Sequence, residues 1–172
     1  VMMKKTDGKA DLRGGGTSSA RLTAPIVAAA AIISPIIAKL GIEVNAHVSA
    51  IGNVKSKPIA QCPEKWQNVD CQLIRCQDPE AAVDMIKLVE DHRMNLDSVG
   101  SEVELQISDM PMGIGEPWFD GIEPYLARAM MSIPAARGVE FGEGFAAIEM
   151  KGSEHNNPWG GSKDNPVMLG EK

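Results

Sequence analysis

The sequence lacks the runs of basic residues that are typical of proteins that bind nucleic acids or anionic membranes. Lys and Arg number 17 against 23 Asp and Glu, which gives a formal net charge of −6. No stretch holds five consecutive basic residues. Because phosphate backbones and anionic lipids attract clustered positive charge, neither is expected as a main partner. The total describes the whole chain, so a single pocket can still be basic.

Cysteine is also scarce, and its spacing excludes the common zinc patterns. Cys62, Cys71 and Cys76 form no C-x-x-C pair, and no second cluster of Cys and His lies nearby. A zinc site is therefore not expected. The three residues are interpreted as ordinary reduced thiols of a cytoplasmic protein, and any further role is left open.

Neither a secretory leader nor a membrane span is predicted. Val1–Lys5 leads into polar residues instead of the apolar core that a leader needs. The most apolar segment, Ala24–Ala38, is interrupted by Ser34 and Pro35 and falls short of the roughly 20 residues that a bilayer requires. We interpret this segment as a buried core helix.

The length of 172 residues predicts one globular unit, and the mixture of apolar and charged residues argues against disorder. Helix signals and strand signals occur along the same chain. Helices are predicted over residues 20–40, 78–95 and 120–133, and strands over residues 42–51 and 101–108. Shorter strands are predicted near residues 71–75 and on either side of residues 142–144.

The predicted helices differ in how they should pack and begin. Ile and Val surround the axis of the first helix, so other elements should cover it on nearly all sides, and Pro35 should kink it or end it early. Asp78 and Pro79 supply an N-cap and a first-turn proline for the second helix, and Asp120 should cap the third. The inner face of the second helix should hold Ala82, Met85, Ile86 and Val89.

The two long predicted strands alternate in polarity. The apolar face of the first strand comprises Ile42, Val44, Ala46, Val48 and Ala50, with polar residues between them. Val103, Leu105 and Ile107 alternate in the same way along the second strand. Such alternation is typical of strands that bury one face, so these apolar side chains are expected to point inward.

The main chemical signal is a glycine run followed by hydroxyl side chains. A glycine loop at the start of a helix offers backbone N–H groups, hydroxyls and the positive end of the helix dipole to an anion. Arg21 adds a positive charge one turn further on, so a phosphate or a carboxylate fits. A well-capped helix after a flexible loop explains the run about equally well. The run comprises Gly14, Gly15, Gly16, Thr17, Ser18 and Ser19.

The run is neither a P-loop nor a dinucleotide fingerprint, because no G-x-x-x-x-G-K-[ST] occurs and no buried strand precedes it. The three histidines, His47, His92 and His155, are not at metal-ligand spacing from one another. They are predicted to have surface or hydrogen-bonded roles rather than catalytic ones. No metal site is therefore predicted.

Several segments, in order, resemble the signatures of the chorismate synthase family. Residues 13–24 resemble R-G-G-G-R-S-S-A-R-E-T-A, and residues 97–100 resemble D-S-[VI]-G. Residues 113–120 resemble G-L-G-E-P-V-F-D. Residues 131–145 resemble M-S-I-P-A-V-K-G-V-E-F-G-x-G-F, and residues 152–157 resemble G-S-E-x-N-D. Any one segment is weak evidence, but together, in register, they are specific.

The resemblance implies an α+β fold in which helices are sandwiched between antiparallel sheets, a β-α-β sandwich of which this chain holds part. It also implies a cytoplasmic homotetramer. Family members eliminate phosphate and a ring hydrogen from 5-enolpyruvylshikimate 3-phosphate to give chorismate, in the shikimate pathway of aromatic amino acid biosynthesis. They need reduced FMN, which some members regenerate with NADPH. The flavin lends an electron as phosphate leaves and recovers it as the hydrogen departs.

The resemblance also implies site residues. The family's R-S-S contact with FMN maps to Thr17, Ser18 and Ser19, and a further FMN contact maps to Pro134 and Ala135. The helix arginine that follows R-S-S maps to Arg21, a candidate for binding the substrate anion.

Departures from the family pattern limit this reading. Thr17 stands where many members have Arg, so one cationic contact is lost, and Leu22 replaces a common Glu. The G-E-S-H-G and G-H-A-D histidines, the K-P-T-S-S segment and the R-x-D-P-C region are not in this sequence. No catalytic residue is therefore identified, and we expect an internal piece of the enzyme or a shortened relative.

Three interpretations follow, and all share the same division of the chain. Residues 1–12 form a polar lead-in, residues 13–158 the region that resembles the family, and residues 159–172 a flexible polar tail. The first interpretation is a segment of the enzyme. The second is an inactive fragment that acts only as a folding or oligomerisation module, and the third is a generic phosphate-binding α+β domain.

Overall fold

The computed structural model describes residues 1–11, 13–62, 69 and 72–169, and it combines helices with antiparallel sheets, as predicted. Cys71 and the last three residues of the predicted tail lie outside the described residues. The helices are α1 (Met2–Lys5), α2 (Thr23–Lys39), α3 (Pro79–Met94), α4 (Ile122–Met131) and α5 (Gly152–His155). The strands are β1 (Glu43–Ile51), β2 (Val54–Lys55), β3 (Ser101–Ser108), β4 (Trp159–Ser162) and β5 (Asn165–Met168).

The chain divides into two compact units instead of the single unit expected from its length. One unit comprises Val1–Ala29 and Gly113–Lys172, and we call it the outer-segment unit. The other comprises Ala30–Met112, and we call it the central unit. Chain length limits the number of domains but does not determine which segments contact each other, so only the fold reveals this division.

A three-stranded antiparallel sheet, in the order β2-β1-β3, forms the centre of the central unit. Both long strands were predicted, and their bounds agree closely with the structure. Val44 lies opposite Ile107 and His47 lies opposite Glu104, with a register shift near Ser49. The short strand β2 was not predicted, and the described residues 72–75 form no strand although one was predicted there.

The burial of this sheet matches the prediction only in part, because Val48 packs against the core while most other apolar residues of the predicted inner faces do not. Val44 and Leu105 are exposed, and Val103 exposes 61% of its surface. On the opposite face, the polar residues His47 and Ser49 are buried. Alternation showed that the two faces differ, but it did not show which face the rest of the chain covers.

Backbone that follows β2 packs against the polar face. The N–H group of Ile59 donates to Glu104 Oε2 at 3.3 Å, and the N–H group of Gln77 donates to His47 Nδ1 at 3.1 Å. The hydroxyl of Ser49 donates to Glu102 Oε1 at 2.8 Å. Burial is tolerated on this face because its polar atoms are hydrogen-bonded.

Helix α3 supplies two of the four residues in the buried core cluster of the central unit. The helix and its cap were predicted correctly, since Asp78 is the N-cap and Pro79 begins the helix. Met85 is fully buried as predicted, but Ile86 is exposed. Ala81, one turn before Met85, is buried instead of Ile86. The buried face is therefore rotated about the helix axis from the predicted one. The buried core cluster comprises Ile51, Cys76, Ala81 and Met85.

The Asp78 carboxylate joins the start of α3 to the segment after β2. Its Oδ1 accepts from the N–H groups of Glu80 at 3.1 Å and Ala81 at 3.4 Å, and its Oδ2 accepts from the N–H group of Lys57 at 3.1 Å. Burial alone would raise the pKa of Asp78, but the hydrogen bonds from Lys57, Ala81 and Glu80 outweigh burial and lower this pKa. The charged form is therefore the one that stabilises the fold.

We expect Asp78→Ala to lower the free energy of unfolding by about 1–2 kcal/mol at pH 7, the usual cost of losing an N-cap. Because the folded-state pKa is depressed, the contribution is complete above the unfolded pKa of about 3.9 and is lost as the pH falls through the folded value. Urea titrations at pH 7 and at pH 3 measure this difference.

Asp84→Ala is the matched control, because Asp84 is exposed on the same helix. It should change stability by less than about 0.5 kcal/mol. A pH-independent loss in Asp78→Ala would contradict a role for the carboxylate charge.

Helix α2 is apolar on every side, as predicted, but it is exposed. Ile32, for example, exposes 74% of its surface, and no residue of α2 is buried. The prediction of a buried core helix is therefore wrong for this chain, because no described element covers α2 closely enough to bury it. The helical stretch Ala20–Lys39 has 20 residues, so by length and composition it could cross a membrane.

Pro35 does not end α2 early. The helix continues to Lys39, although the proline ring removes one backbone donor. The lost bond concerns the carbonyl of Ala31, one turn earlier, and the hydroxyl of Ser34 donates to the carbonyl of Ala30 at 2.7 Å. An exposed helix tolerates the freed carbonyl because water can reach it.

The outer-segment unit also departs from several predictions. Gly121, and not Asp120, is the N-cap of α4, and the Asp120 carboxylate instead accepts from the Tyr125 hydroxyl at 3.4 Å. Residues 144–149 form a 3-10 helix where short strands were predicted. The region expected to be a flexible tail contains the antiparallel β4–β5 hairpin.

Candidate functional site

The glycine run folds into two consecutive 3-10 turns before α2 begins. Gly16–Ser18 forms the first turn and Ala20–Leu22 the second, so α2 starts only at Thr23. Gly14 and Gly16 have φ values of 75° and 51°, a region that glycine adopts without strain. The sequence predicted that the helix begins directly after the run. The structure instead places a 3-10 turn between the run and α2.

Backbone N–H groups of the run are largely used within the chain. The N–H of Ser18 donates to the carbonyl of Gly15 at 2.9 Å, and the N–H of Ser19 donates to the carbonyl of Gly16 at 3.2 Å. The N–H of Arg21 donates to Ser19 Oγ at 3.3 Å. The N–H groups of these three residues are therefore not free to bind an anion.

Hydroxyl and guanidinium groups lie beside these turns, and the Thr17 hydroxyl donates to Met2 Sδ at 3.6 Å. Thr17 and Ser18 are exposed, and Ser19 is partly exposed. The Arg21 guanidinium is exposed and forms no ion pair with any described residue. Arg13 differs, because its guanidinium lies 2.8 Å from Asp11 Oδ2 and lowers the pKa of that carboxyl. Arg21 is therefore the cation of the run that is free to meet a ligand.

Space is also available at the glycines. A Cβ placed on Gly14 or Gly16 would meet no atom within 4 Å. Gly15 differs, because a Cβ there would lie 3.1 Å from Ser19. One side of the run is thus open to a ligand, while Gly15 is needed for the close packing of the turn.

The second predicted contact, Pro134 and Ala135, follows α4 in the same outer-segment unit. Both residues are exposed. Ala135 has a φ of 72°, which is rare for a residue with a Cβ and which clusters at functional sites. The N–H of Ala136 donates to the carbonyl of Ile133 at 3.1 Å and closes the turn. All six predicted site residues thus belong to one unit.

The structure adds one feature that sequence reasoning missed. Trp118, in the segment 113–120, has a φ of 64° and exposes 84% of its surface. Its ring packs edge-to-face against Phe119, with centroids 6.2 Å apart. An exposed aromatic pair on strained backbone is costly to maintain, and no sequence signal reveals a positive φ at tryptophan.

Two histidines, His47 and His92, and the described thiols lie outside the unit that holds the predicted site residues. His47 and His92 lie in the central unit and are hydrogen-bonded, as predicted. Burial raises the pKa of the Cys62 and Cys76 thiols, which opposes reactive thiolates there. Among the described residues, no group of three or more His, Cys, Asp or Glu side chains could hold a metal ion.

Comparison with known proteins gives one consistent result. A family model described as chorismate synthase matches residues 1–167. The chorismate synthase of Aeropyrum pernix is 45% identical over 153 residues, which cover 88% of this chain and 40% of the relative. The chorismate synthase of Methanosarcina acetivorans is 43% identical over 149 residues, with 87% and 40% covered.

Solved structures agree with these relatives. A crystal structure of chorismate synthase superimposes with a TM-score of 0.77 at 26% identity, over 94% of this chain and 56% of the other. The chain therefore spans about 40% of the length of the curated relatives that it matches.

Proposed function

The chain belongs to the chorismate synthase family, and on that premise we propose that it supplies part of the flavin and substrate site of a lyase. That enzyme would convert 5-enolpyruvylshikimate 3-phosphate to chorismate by an anti-1,4-elimination of phosphate. The match over residues 1–167 is the observation that carries the proposal. A generic phosphate-binding domain is not retained, because the family is now known. Because the chain spans about 40% of its relatives, activity is proposed only for the complete assembly.

The residues of the glycine run fit a phosphorylated flavin. Thr17, Ser18 and Ser19 offer hydroxyl groups, and open space at Gly14 and Gly16 would admit a ligand. We propose these hydroxyls, with the exposed turn at Pro134 and Ala135, as the chain's contacts to reduced FMN. Reduced FMN would supply the electron that the elimination borrows and returns. Some members regenerate reduced FMN with NADPH, and we propose NADPH as the reductant here.

Arg21 is proposed to bind an anionic group of the substrate. Its guanidinium has no carboxylate partner among the described residues, so its charge is available. Phosphate gains charge as it departs, and a guanidinium beside it would stabilise that charge more than it stabilises the ground state. The contribution of this chain would thus be to hold and neutralise anions.

We expect Arg21→Ala to weaken transition-state binding by about 1.5–3 kcal/mol, typical of a charge-assisted hydrogen bond. The substitution is made in a protein that contains this chain together with the rest of the family fold. That range corresponds to roughly 10- to 150-fold in kcat/KM. Anaerobic turnover with reduced FMN measures it.

Arg128→Ala is the matched control. Arg128 is an exposed arginine in the last turn of α4, outside every predicted contact. Its replacement should leave kcat/KM within twofold. Unchanged kinetics in Arg21→Ala would reduce Arg21 to ordinary surface and would remove the proposed anion contact.

A second candidate function is an association module, and the exposed apolar surface of α2 favours it. We propose that other parts of the assembled enzyme, a cytoplasmic homotetramer, cover α2. The helix would then lie in a layer between sheets. Flavin titration and anaerobic assay of the 172-residue chain test whether this chain alone is inactive. If the chain alone is an inactive fragment, it should bind flavin weakly or not at all and form no chorismate. Tight binding or turnover would overturn that interpretation.

A further inference from the structure

A cavity of about 370 Å³ opens in the central unit, between the end of α3 and the start of β3. Small-molecule sites usually enclose about 300–1,000 Å³ and combine apolar walls with a few polar groups. Here Ile51, Val89 and Val99 supply the apolar walls. The motif 97–100, which the proposed lyase function does not use, contributes Asp97 and Ser98 to the lining.

Two hydrogen-bond acceptors, on Asp97 and His92, belong to the polar lining of this cavity, which also includes Arg93, Ser98 and Ser101. Asp97 Oδ1 accepts from the N–H group of Ser98 at 2.8 Å, and the carboxylate forms no ion pair with a described residue. His92 Nδ1 lies 2.9 Å from the carbonyl of Leu88, which can only accept, so this nitrogen is the donor. In the neutral ring, His92 Nε2 is then an acceptor.

Positive charge at the cavity is already neutralised. Arg93 donates from Nε at 2.8 Å and from Nη2 at 2.5 Å to the two carboxylate oxygens of Glu90. The cavity also adjoins the C-terminal end of the 16-residue helix α3, where the helix dipole is negative. The local field therefore favours a cation over an anion.

We propose that this cavity binds a small organic ammonium ion with an apolar body. The ammonium group donates hydrogen bonds to the Asp97 carboxylate and to His92 Nε2. The apolar body packs against Ile51, Val89 and Val99. This site lies in a different unit from the residues proposed for flavin and substrate, and it does not depend on the proposed lyase function.

Calorimetric titration of the 172-residue chain with three matched probes tests the proposal. Phenethylamine carries the ammonium group, 2-phenylethanol replaces it with a neutral hydroxyl, and phenylacetate replaces it with an anion. Phenethylamine should bind at least tenfold more tightly than 2-phenylethanol, and phenylacetate should bind most weakly. Equal affinities, a preference for phenylacetate, or no binding of phenethylamine at millimolar concentration would overturn the proposal.

Asp97→Asn identifies the residue responsible. Asparagine keeps an oxygen for the Ser98 N–H group but removes the charge, so phenethylamine affinity should fall at least tenfold. Asp84→Asn is the control, since Asp84 is exposed on α3 and does not line the cavity. An equal loss in both variants, or none in Asp97→Asn, would contradict the proposal.

If circular dichroism shows that Asp97→Asn unfolds, salt titration of the unsubstituted chain tests the proposal instead. Phenethylamine affinity should fall as the salt concentration rises. A salt-independent affinity would overturn the proposal.

Discussion

Met85→Ala should lower the free energy of unfolding of the central unit by about 2–5 kcal/mol, the range for truncating a buried methionine. Met85 is fully buried and belongs to a core cluster with only three other buried residues, Ile51, Cys76 and Ala81. Several partly buried side chains around this cluster, including Val48 on β1 and Leu88 on α3, have little freedom to collapse into the space because these elements hold their backbones. The loss should therefore lie toward the upper end of the range.

Met94→Ala provides a matched comparison, because Met94 ends the same helix and exposes 69% of its surface. Its replacement should cost less than about 0.5 kcal/mol. Urea unfolding followed by far-ultraviolet circular dichroism measures both variants. Similar costs in the two variants would mean that the cluster at Met85 is not the stabilising core of the unit.

His47→Leu should lower the free energy of unfolding by about 3 kcal/mol, since a buried donor loses its acceptor and a charge-assisted bond is lost. His47 Nδ1 accepts from the Gln77 N–H group, and Nε2 lies 3.0 Å from Glu104 Oε2. The backbone N–H group of Gln77 is part of a buried residue and would have no replacement acceptor. The carboxylate of Glu104 is 38% exposed and can be rehydrated. Most of the cost should therefore arise at Gln77.

Glu104→Gln separates the two halves of this network. The amide oxygen can still accept from Ile59 or His47, so this variant should cost clearly less than His47→Leu. His155→Leu, at an exposed histidine of α5, serves as the control and should be nearly neutral. A larger loss in Glu104→Gln than in His47→Leu would show that the carboxylate, and not the Gln77 amide, governs the stability of this face.

Local signals in the sequence determined the elements whose causes are local. Asp78 and Pro79 start α3 because an N-cap carboxylate and a proline at the first turn act within four residues. The alternation along β1 and β3 placed both strands correctly. The family signatures likewise depend on residue order alone, and comparison with relatives confirmed the family.

Tertiary structure decided what depends on distant parts of the chain. It buries the polar face with His47 and leaves Val103 exposed, because the segment after β2 returns to that face of the sheet. It leaves the apolar helix α2 uncovered and uses the N–H groups of Ser18 and Ser19 in turns. Periodicity is a property of neighbouring residues, whereas burial depends on which remote segment supplies the opposing surface. That physical difference separates what could be predicted here from what could not.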